Sequence, residues 1–583
     1  MVAQGTKARW LMPAAMPGGY AESYKHLSPI VAQILYNRGV DDEEVPSFLH
    51  PTVSSMHAPR LMRGMDAALA RIAGAIDRDE RIAVYGDFDV DGVTGTVLLY
   101  QILRALGANV TYYVPHRATE GYGLNNKALD FLGADGVRLV ITVDCGISCV
   151  DEVAYARDRG IEVIVTDHHL PPAHMPEACA ILNPRQPGCN YPFKDLSGVG
   201  VAFKLASALL DGHPEAPRLR YEVLDLVVIG TVADMVPLRG ENRILVRHGL
   251  KALSQTSRVG LRAMLRQTGL DNSGVSAADI SFRLGPRLNA AGRLDHAAVG
   301  CELLLTTDQA RADELVAALE RTNDERQRLT TAIIDEVRLR LGQRPPERIL
   351  IVDDATWPAG IIGLVAGRLT EEYCRPVLVV ERGEVESRGS ARSIPGFNVI
   401  EALTRCADLL HKFGGHAQAA GFSLRTALLP ALHERLAALA AAELDDDNLV
   451  PSIRVDAEIT RHLPANGLTA LHEQLCDLEP FGVGNPTPVL LWRNLRVADC
   501  RVVGSKHLRF SLATPQGIVG AIAFGRAGDI GVLPRGHFID VVFNLQYNDW
   551  HGYPNVELRV KDVALKGDVA RAPERGIPQV SVV

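Results

Sequence analysis

Gly86-Asp-Phe-Asp-Val-Asp-Gly-Val-Thr-Gly95 follows the apolar run Arg81-Ile-Ala-Val-Tyr85 and sets Asp87, Asp89 and Asp91 at alternate positions. Three carboxylates so close repel one another unless a divalent cation neutralises them. A solvated turn is the competing reading, because turns favour Asp and Gly, and on this stretch alone the two weigh about equally. An EF-hand loop does not fit: its closing Glu would fall at Leu98. The β-like Ile82–Tyr85 also puts a strand, not a helix, before the acids.

Working outward, the apolar run Leu139–Val143 ends on Asp144, and Ile161–Thr166 ends on Asp167-His168-His169. A helix expected over Tyr221–Gly230 leads to Asp234, where a plain helix-terminal Asp is the alternative. Strands alternating with helical stretches imply a parallel sheet whose ligand crevice lies beyond the carboxyl ends of its strands. Asp89, Asp144 and Asp167 all fall at such ends. Oxygen-rich donors with one or two imidazoles suit manganese or magnesium better than a structural zinc. The number of carboxylates suggests two ions, about 3.5–4 Å apart, that activate a water and steady the leaving oxygen of a phosphoester.

In this order and spacing the four motifs resemble the DHH phosphoesterase superfamily, and most of the chain resembles its single-strand-specific exonuclease branch. The resemblance implies an α/β multidomain chain: a parallel-sheet DHH domain, a long connecting helix, a second α/β domain of DHHA1 type and a C-terminal OB-fold β-barrel. It implies Asp89, Asp91, Asp144, His168 and Asp234 as ligands of two Mn²⁺ or Mg²⁺ ions, with Asp144 bridging and His169 facing the phosphate. Asp87 joins the catalytic set as a ligand or as a group that orients one, and Asp167 holds an imidazole. The implied activity is 5′-to-3′ hydrolysis of single-stranded DNA in repair and recombination.

The expected organisation is a partly helical leader over 1–80, the DHH domain over 81–240, and a helical segment lining the substrate path over 241–307. A connector helix over 308–346, the DHHA1 domain over 347–448, the OB-fold over 449–567 and a loose tail over 568–583 follow. In the helical segment Phe282–Arg293 resembles the family's substrate path and offers Arg287, Asn289 and Arg293 to phosphate, although a solvated loop is the usual meaning of such charge. The connector is free of Gly and Pro until Gly342 and rich in helix formers. In the DHHA1 region, Gly389–Ser393 and Gly414–Gly421 resemble that domain's signature and mark Ser390, Arg392, Gly415 and His416 for substrate binding. Trp357 is followed by Pro358, where the family usually has His. Leu478–Pro486 resembles the lead-in to the family's OB-fold. Beyond it, Arg493, Arg496, Arg501, Lys506 and Arg509 stand among Trp492 and Phe510, the mixture with which a barrel tracks and stacks a single strand; on this region alone an ordinary barrel with a solvated basic face weighs about equally, and the Leu478–Pro486 resemblance tips the balance.

A formal net charge of −8 argues against a protein that coats nucleic acid, so any contact must use local basic patches. Nine cysteines without a C-x-x-C pair suit a reducing cytoplasm. Pro13 and Pro17 break the one apolar stretch near the N-terminus, and no run is long enough to span a membrane. The expectation is a cytoplasmic monomer acting on single-stranded DNA, with a helicase or single-strand-binding protein as companion. Two rivals remain: a phosphodiesterase or pyrophosphatase of small substrates, which would not need the basic β region, and an inactive DNA-binding scaffold, which would not need the carboxylates.

Overall fold

The structure, a computed structural model, describes residues 8–24, 27–117, 119–271, 274–294, 296–342, 347–459, 463, 467–548 and 555–565. The expected tail over 568–583 and the end of the connector, 343–346, lie outside them. Glu44–Arg326 and Leu478–Pro486 form one compact unit; the described parts of Met1–Glu43, Gln327–Asp477 and Thr487–Val583 form another.

The first unit is built on five parallel strands, β1 (Arg81–Gly86), β2 (Val110–Tyr113), β3 (Val137–Val143), β4 (Glu162–Thr166) and β5 (Ala180–Leu182), in the order β2-β1-β3-β4-β5. Both faces are covered, so the strands are apolar without alternation, and Ile82–Tyr85 is wholly buried. The chain leaves β1 for β2 on one side and returns to β3 on the other. Loops that diverge at such a switch point open the crevice where doubly wound sheets bind ligands. The acidic stretch follows β1 and Asp144 follows β3.

Three helices pack beside the crevice: α1 (Val90–Ala105), α2 (Gly198–Leu209) and α3 (Leu224–Ala233). The helix expected over Tyr221–Gly230 is in fact two, Ala216–Glu222 and α3, parted at Val223, so that Asp234 is the C-cap of α3. Phe282–Arg293 is helical: one π-helical turn, Ile280–Leu284, runs into α4 (Gly285–Leu294). The leader is divided, because its apolar side chains find two different cores. Met62, Met65, Ala68 and Ile72 pack into the parallel-sheet unit, while Trp10 packs with Val455, Leu491 and Val542. The connector is one helix of 33 residues, α5 (Gln309–Leu341), or roughly 50 Å at 1.5 Å per residue.

The other unit holds a five-stranded sheet, β6 (Leu350–Asp354), β7 (Val377–Glu381), β8 (Glu386–Arg392), β9 (Lys412–His416) and β10 (Ala419–Arg425), in the order β9-β10-β8-β7-β6, with α6 (Ala359–Tyr373) packed on it. It also holds a barrel. β11 (Ala457–Ile459) runs beside β12 (Leu490–Val503), which continues through β13 (His507–Thr514), β14 (Gly517–Ala523), β16 (Asn555–Leu565) and β15 (Phe538–Asn548). Pairing of β12 with β15 closes five strands into a ring. Trp492 and Phe510 point into the barrel core, 7% and 1% exposed, so they are not its stacking surface; among the described residues Phe524, Phe538 and Tyr547 are its exposed aromatics. Arg493 is held by Glu458 and Asp540, whereas Arg496, Arg501 and Lys506 are exposed.

Candidate metal centre

Asp89 caps α1, its Oδ1 accepting from the amides of Asp91 (2.9 Å) and Gly92 (3.0 Å). α4 braces the same loop: Asn289 Oδ1 accepts from the Val90 amide at 3.1 Å. A Cβ on Gly292 would come within 2.4 Å of the Phe88 carbonyl oxygen. Asp91, 1% exposed, accepts from the Gly198 and Val199 amides at 2.6 and 2.9 Å. These belong to the first turn of α2, whose unpaired amides and positive dipole end favour a carboxylate.

Asp144 leaves β3 in left-handed backbone at φ +62°, a conformation that Asp tolerates better than most residues. The turn is pinned by its own amide, which donates to the Thr166 carbonyl (3.1 Å), and by the Thr142 hydroxyl, which donates to the Cys145 carbonyl (2.7 Å). His168 Nε2 lies 3.0 Å from Asp144 Oδ1 and 3.6 Å from Asp234 Oδ2. Asp234 sits at the negative end of α3, where a carboxylate is unfavourable without a cation.

Three groups bring their donor atoms within 4.8 Å of one another: Asp87, Asp89 and Asp144; Asp91, His168 and Asp234; Asp144, His168 and His169. The first two could each hold an ion, and the third joins them. Asp87 Oδ1, Asp144 Oδ1, Asp234 Oδ2 and His168 Nε2 are buried with no hydrogen-bond partner among the described residues. Each such atom costs about 1–3 kcal/mol, and a cation in each of the first two groups would give them partners. The chemistry of the donor set fits Mn²⁺ or Mg²⁺.

Burial, reinforced by neighbouring carboxylates, pushes Asp87, Asp144 and Asp234 well above the usual range and Asp91 up to about 7. Burial and the adjacent His169 imidazole lower His168 to about 3, leaving it neutral, the form that ligates metals. For His169 burial opposes the charge, but the bond to Asp167 at 2.8 Å and the charges of Asp167, Asp89 and Asp87 outweigh it and raise the imidazole. Asp167 stays low in spite of burial. Its Oδ1 accepts from the His169 ring and the His168 and His169 amides, and its Oδ2 from the Ile147 amide.

A raised folded-state value stabilises fully below the ordinary carboxylate pKa, and that contribution is lost as pH climbs through the folded one. For Asp91 the window runs from 3.8 to about 7. The metal-free protein is therefore expected to unfold at lower urea as pH rises across that window, with saturating Mn²⁺ removing the slope. A chelator-treated protein with a pH-independent midpoint would contradict the clustering of charge.

Tyr122, absent from the sequence-derived set, stands at this centre: its hydroxyl donates to the Asp144 carbonyl at 3.2 Å and lies 3.2 Å from His169 Nδ1. Its ring meets Phe88 edge-on at 6.4 Å, and the Arg117 guanidinium lies 4.8 Å over Phe88. The sequence sign of this segment is Gly121-Tyr122-Gly123, both glycines at positive φ.

The other candidates fall elsewhere. Arg287 gives Nε and Nη2 to Glu320 (2.5 and 2.9 Å) and Nη1 to the Arg283 carbonyl (2.7 Å), so its fork is already engaged. Arg293 is half-buried in the last turn of α4. Ser390 and Arg392 lie on β8 and Gly415 and His416 on the edge strand β9, in the other unit. Arg392 and His416 both stand opposite Ala419 and so share one row across the sheet. Arg392 Nη1 donates to Ser390 Oγ at 3.2 Å, and burial lowers the pKa of its guanidinium. Pro358 begins α6 without a side-chain cap, while buried Trp357 donates from Nε1 to Glu336 at 3.1 Å.

A doubly wound sheet with paired acidic donor groups at its switch point defines a class, the two-metal phosphoesterases. Comparison with known families gives the member. Residues 81–231 match the DHH family N-terminal domain, 347–442 the DHHA1 domain and 459–562 the RecJ OB domain. The chain is 38% identical to the single-stranded-DNA-specific exonuclease RecJ of Bacillus subtilis, over 93% of this chain and 68% of that one. The crystal structure of Thermus thermophilus RecJ in complex with Mn²⁺ matches with TM-score 0.83 at 33% identity, over 98% of this chain and 81% of that one. The Mg²⁺ complex of the same protein matches with TM-score 0.77 at 32% identity, over 98% and 80%. The chain belongs to the RecJ family.

Proposed function

We propose that this chain is a single-stranded-DNA-specific exonuclease that hydrolyses phosphodiester bonds with two divalent cations, working from the 5′ end in DNA repair and recombination. The observation that carries the reading is that four buried donor atoms without hydrogen-bond partners among the described residues fall in adjoining donor groups at the switch point of the sheet. The substrate rests on kinship with the single-stranded-DNA-specific exonuclease RecJ, and the polarity on the resemblance of the motifs alone.

Bound between Asp87, Asp89 and Asp144 and between Asp91, His168 and Asp234, Mn²⁺ or Mg²⁺ would supply a water deprotonated near neutral pH and charge to balance the attacked phosphate. The protein's own groups prepare that arrangement. The α2 amides hold Asp91 by both oxygens, and neutral His168 presents a lone pair. Asp167 fixes His169 and favours its cationic form, a donor suited to a phosphate oxygen. No side chain serves as nucleophile: Cys145, beside Asp144, is wholly buried and burial pushes its thiol far up.

The row containing Arg392 and His416, with Ser390 and the bare backbone of Gly415, is assigned to the strand, as are Arg293 and Arg287, the latter in exchange for Glu320. Asn289 is spent on the Val90 amide and acts by bracing the acidic loop. Arg392→Ala is expected to raise KM for single-stranded DNA about tenfold or more, the worth of one charge-assisted bond, while kcat changes little. A fall in kcat alone would move Arg392 out of substrate binding.

One chain supplies the whole donor set, which supports a monomer. A single-strand substrate calls for a helicase or single-strand-binding protein upstream, and free thiols together with DNA as substrate support the cytoplasm. No helix among the described residues is long and apolar enough to cross a membrane. Digestion of 5′- and 3′-labelled single-stranded DNA, duplex DNA and matched RNA in Mn²⁺, Mg²⁺ or chelator tests the reading. Loss of the 5′ label first, on single-stranded DNA and only with metal, is expected. Activity in chelator, or on dinucleotides alone, would overturn it.

A further inference from the structure

Leu478–Pro486 lies within the family's OB-domain match, yet it packs into the parallel-sheet unit. Its grip there is specific. Arg243, 1% exposed, donates from Nη1 to the Leu478 carbonyl (3.0 Å), from Nη2 to the Glu479 carbonyl (2.7 Å) and from Nε to the Phe48 carbonyl (2.7 Å). The segment closes on itself: Gly482 and Asn485 exchange backbone bonds, and buried Asn485 donates from Nδ2 to the Leu478 and Pro480 carbonyls. It is a preformed hook fastened at its base by a buried arginine.

The tip of the hook meets the loop that carries Asp234. Met235–Arg239 has no helix or strand of its own. The Leu238 amide donates to the Val483 carbonyl at 2.8 Å, and Arg239 Nε to the Gly484 carbonyl at 2.9 Å. Contact is close enough to need glycine: a Cβ on Gly482 would lie 2.6 Å from Leu238 Cδ1, and one on Gly484, at φ +71°, 3.0 Å from Pro237 Cβ. Asp234, at the unfavourable end of α3, is the last residue that the helix ladder holds, its amide donating to the Gly230 carbonyl at 2.9 Å, and the loop beyond it takes restraint from this contact.

We infer that Leu478–Pro486 is a positioning strap that holds the Asp234 loop in place and so sets the affinity of the Asp91, His168 and Asp234 group for its cation. The inference rests on the metal reading above. Gly484, Gly482 and Asn485 act through Pro237 and Leu238; they touch neither ion nor substrate.

The full chain carrying Gly484→Val or Asn485→Ala is titrated with Mn²⁺ alone, free ion being followed by electron paramagnetic resonance, without DNA. An oligonucleotide is titrated separately in chelator. Each variant is expected to weaken Mn²⁺ binding about 10- to 100-fold, as loss of a group that orients a ligand does. Oligonucleotide affinity should stay unchanged, and hydrolysis should recover in excess Mn²⁺. Gly482→Ala, a gentler intrusion on Leu238, carries the same expectation if Gly484→Val does not fold. Unaltered Mn²⁺ affinity with a lower melting point, or with weaker oligonucleotide binding, overturns the strap in favour of a purely structural or a DNA-contacting segment. A wild-type chain that takes up no Mn²⁺ overturns the metal reading instead.

Discussion

Asp144→Asn is expected to lower hydrolysis of single-stranded DNA by at least about a thousandfold at saturating Mn²⁺. A carboxylate shared by two ions contributes several kcal/mol of charge balance, and each 1.36 kcal/mol is tenfold in rate. The substitution is isosteric, so the left-handed turn, pinned through Thr142 and Thr166, is kept. What changes is charge at the point where both donor groups meet.

The same variant should be more stable than the wild type in chelator. Burial and the charges of Asp91, Asp89, Asp234 and Asp87 all disfavour ionised Asp144, and an amide removes that repulsion. Added Mn²⁺ should raise the wild-type melting temperature more than that of the variant, which keeps the Asp91, His168 and Asp234 group but loses a carboxylate of the other, since a ligand stabilises only the state that binds it. A variant that loses activity yet keeps the full Mn²⁺-induced shift would assign Asp144 to a role other than bridging.

What made the centre legible beforehand was local. A short, β-branched apolar run without alternation, ending on acids and set between helical stretches, reads as a strand buried on both faces, and three such ends locate a crevice. Asp87 could not be resolved that way, because a ligand and a neighbour of a ligand look alike along the chain; its place in one group with Asp89 and Asp144 is a fact of three dimensions. Contacts distant in sequence were equally hidden. Glu320, which occupies the Arg287 fork, sits on the connector helix, and Asn289 is one residue among many until its oxygen is found on the Val90 amide. The barrel read correctly as a small barrel of short strands, but alternation along β12 and β13 turned Trp492 and Phe510 inward, which residue type alone does not reveal. Gly198 carried no visible mark, since its importance comes from what a side chain there would strike.

Gly198→Ala is accordingly expected to damage the metal centre although the residue supplies no ligand atom. A Cβ at Gly198 would lie 2.6 Å from Asp144 Cβ and 2.8 Å from its Cγ and Oδ1. The Gly198 amide meanwhile holds Asp91 Oδ2 at 2.6 Å. One residue thus touches a member of each donor group, and the methyl can be accommodated only by moving one of them. Asp144 cannot retreat, being fixed in its pinned turn, so α2 must withdraw and loosen its amides from Asp91. Mn²⁺ affinity should fall about 10- to 100-fold, with activity partly recovered in excess Mn²⁺, while overpacking costs about 1–3 kcal/mol of stability. Gly200→Ala is the control on the same turn: its nearest contacts, Leu196 Cδ2 and Ser197 Oγ, are at 3.3 Å, and Ala is the better helix former by about 1 kcal/mol. Its Mn²⁺ titration should match that of the wild type. If the two alanines behave alike, α2 tolerates side chains at its first turn and the close approach to Asp144 is not what sets the geometry of the metal centre.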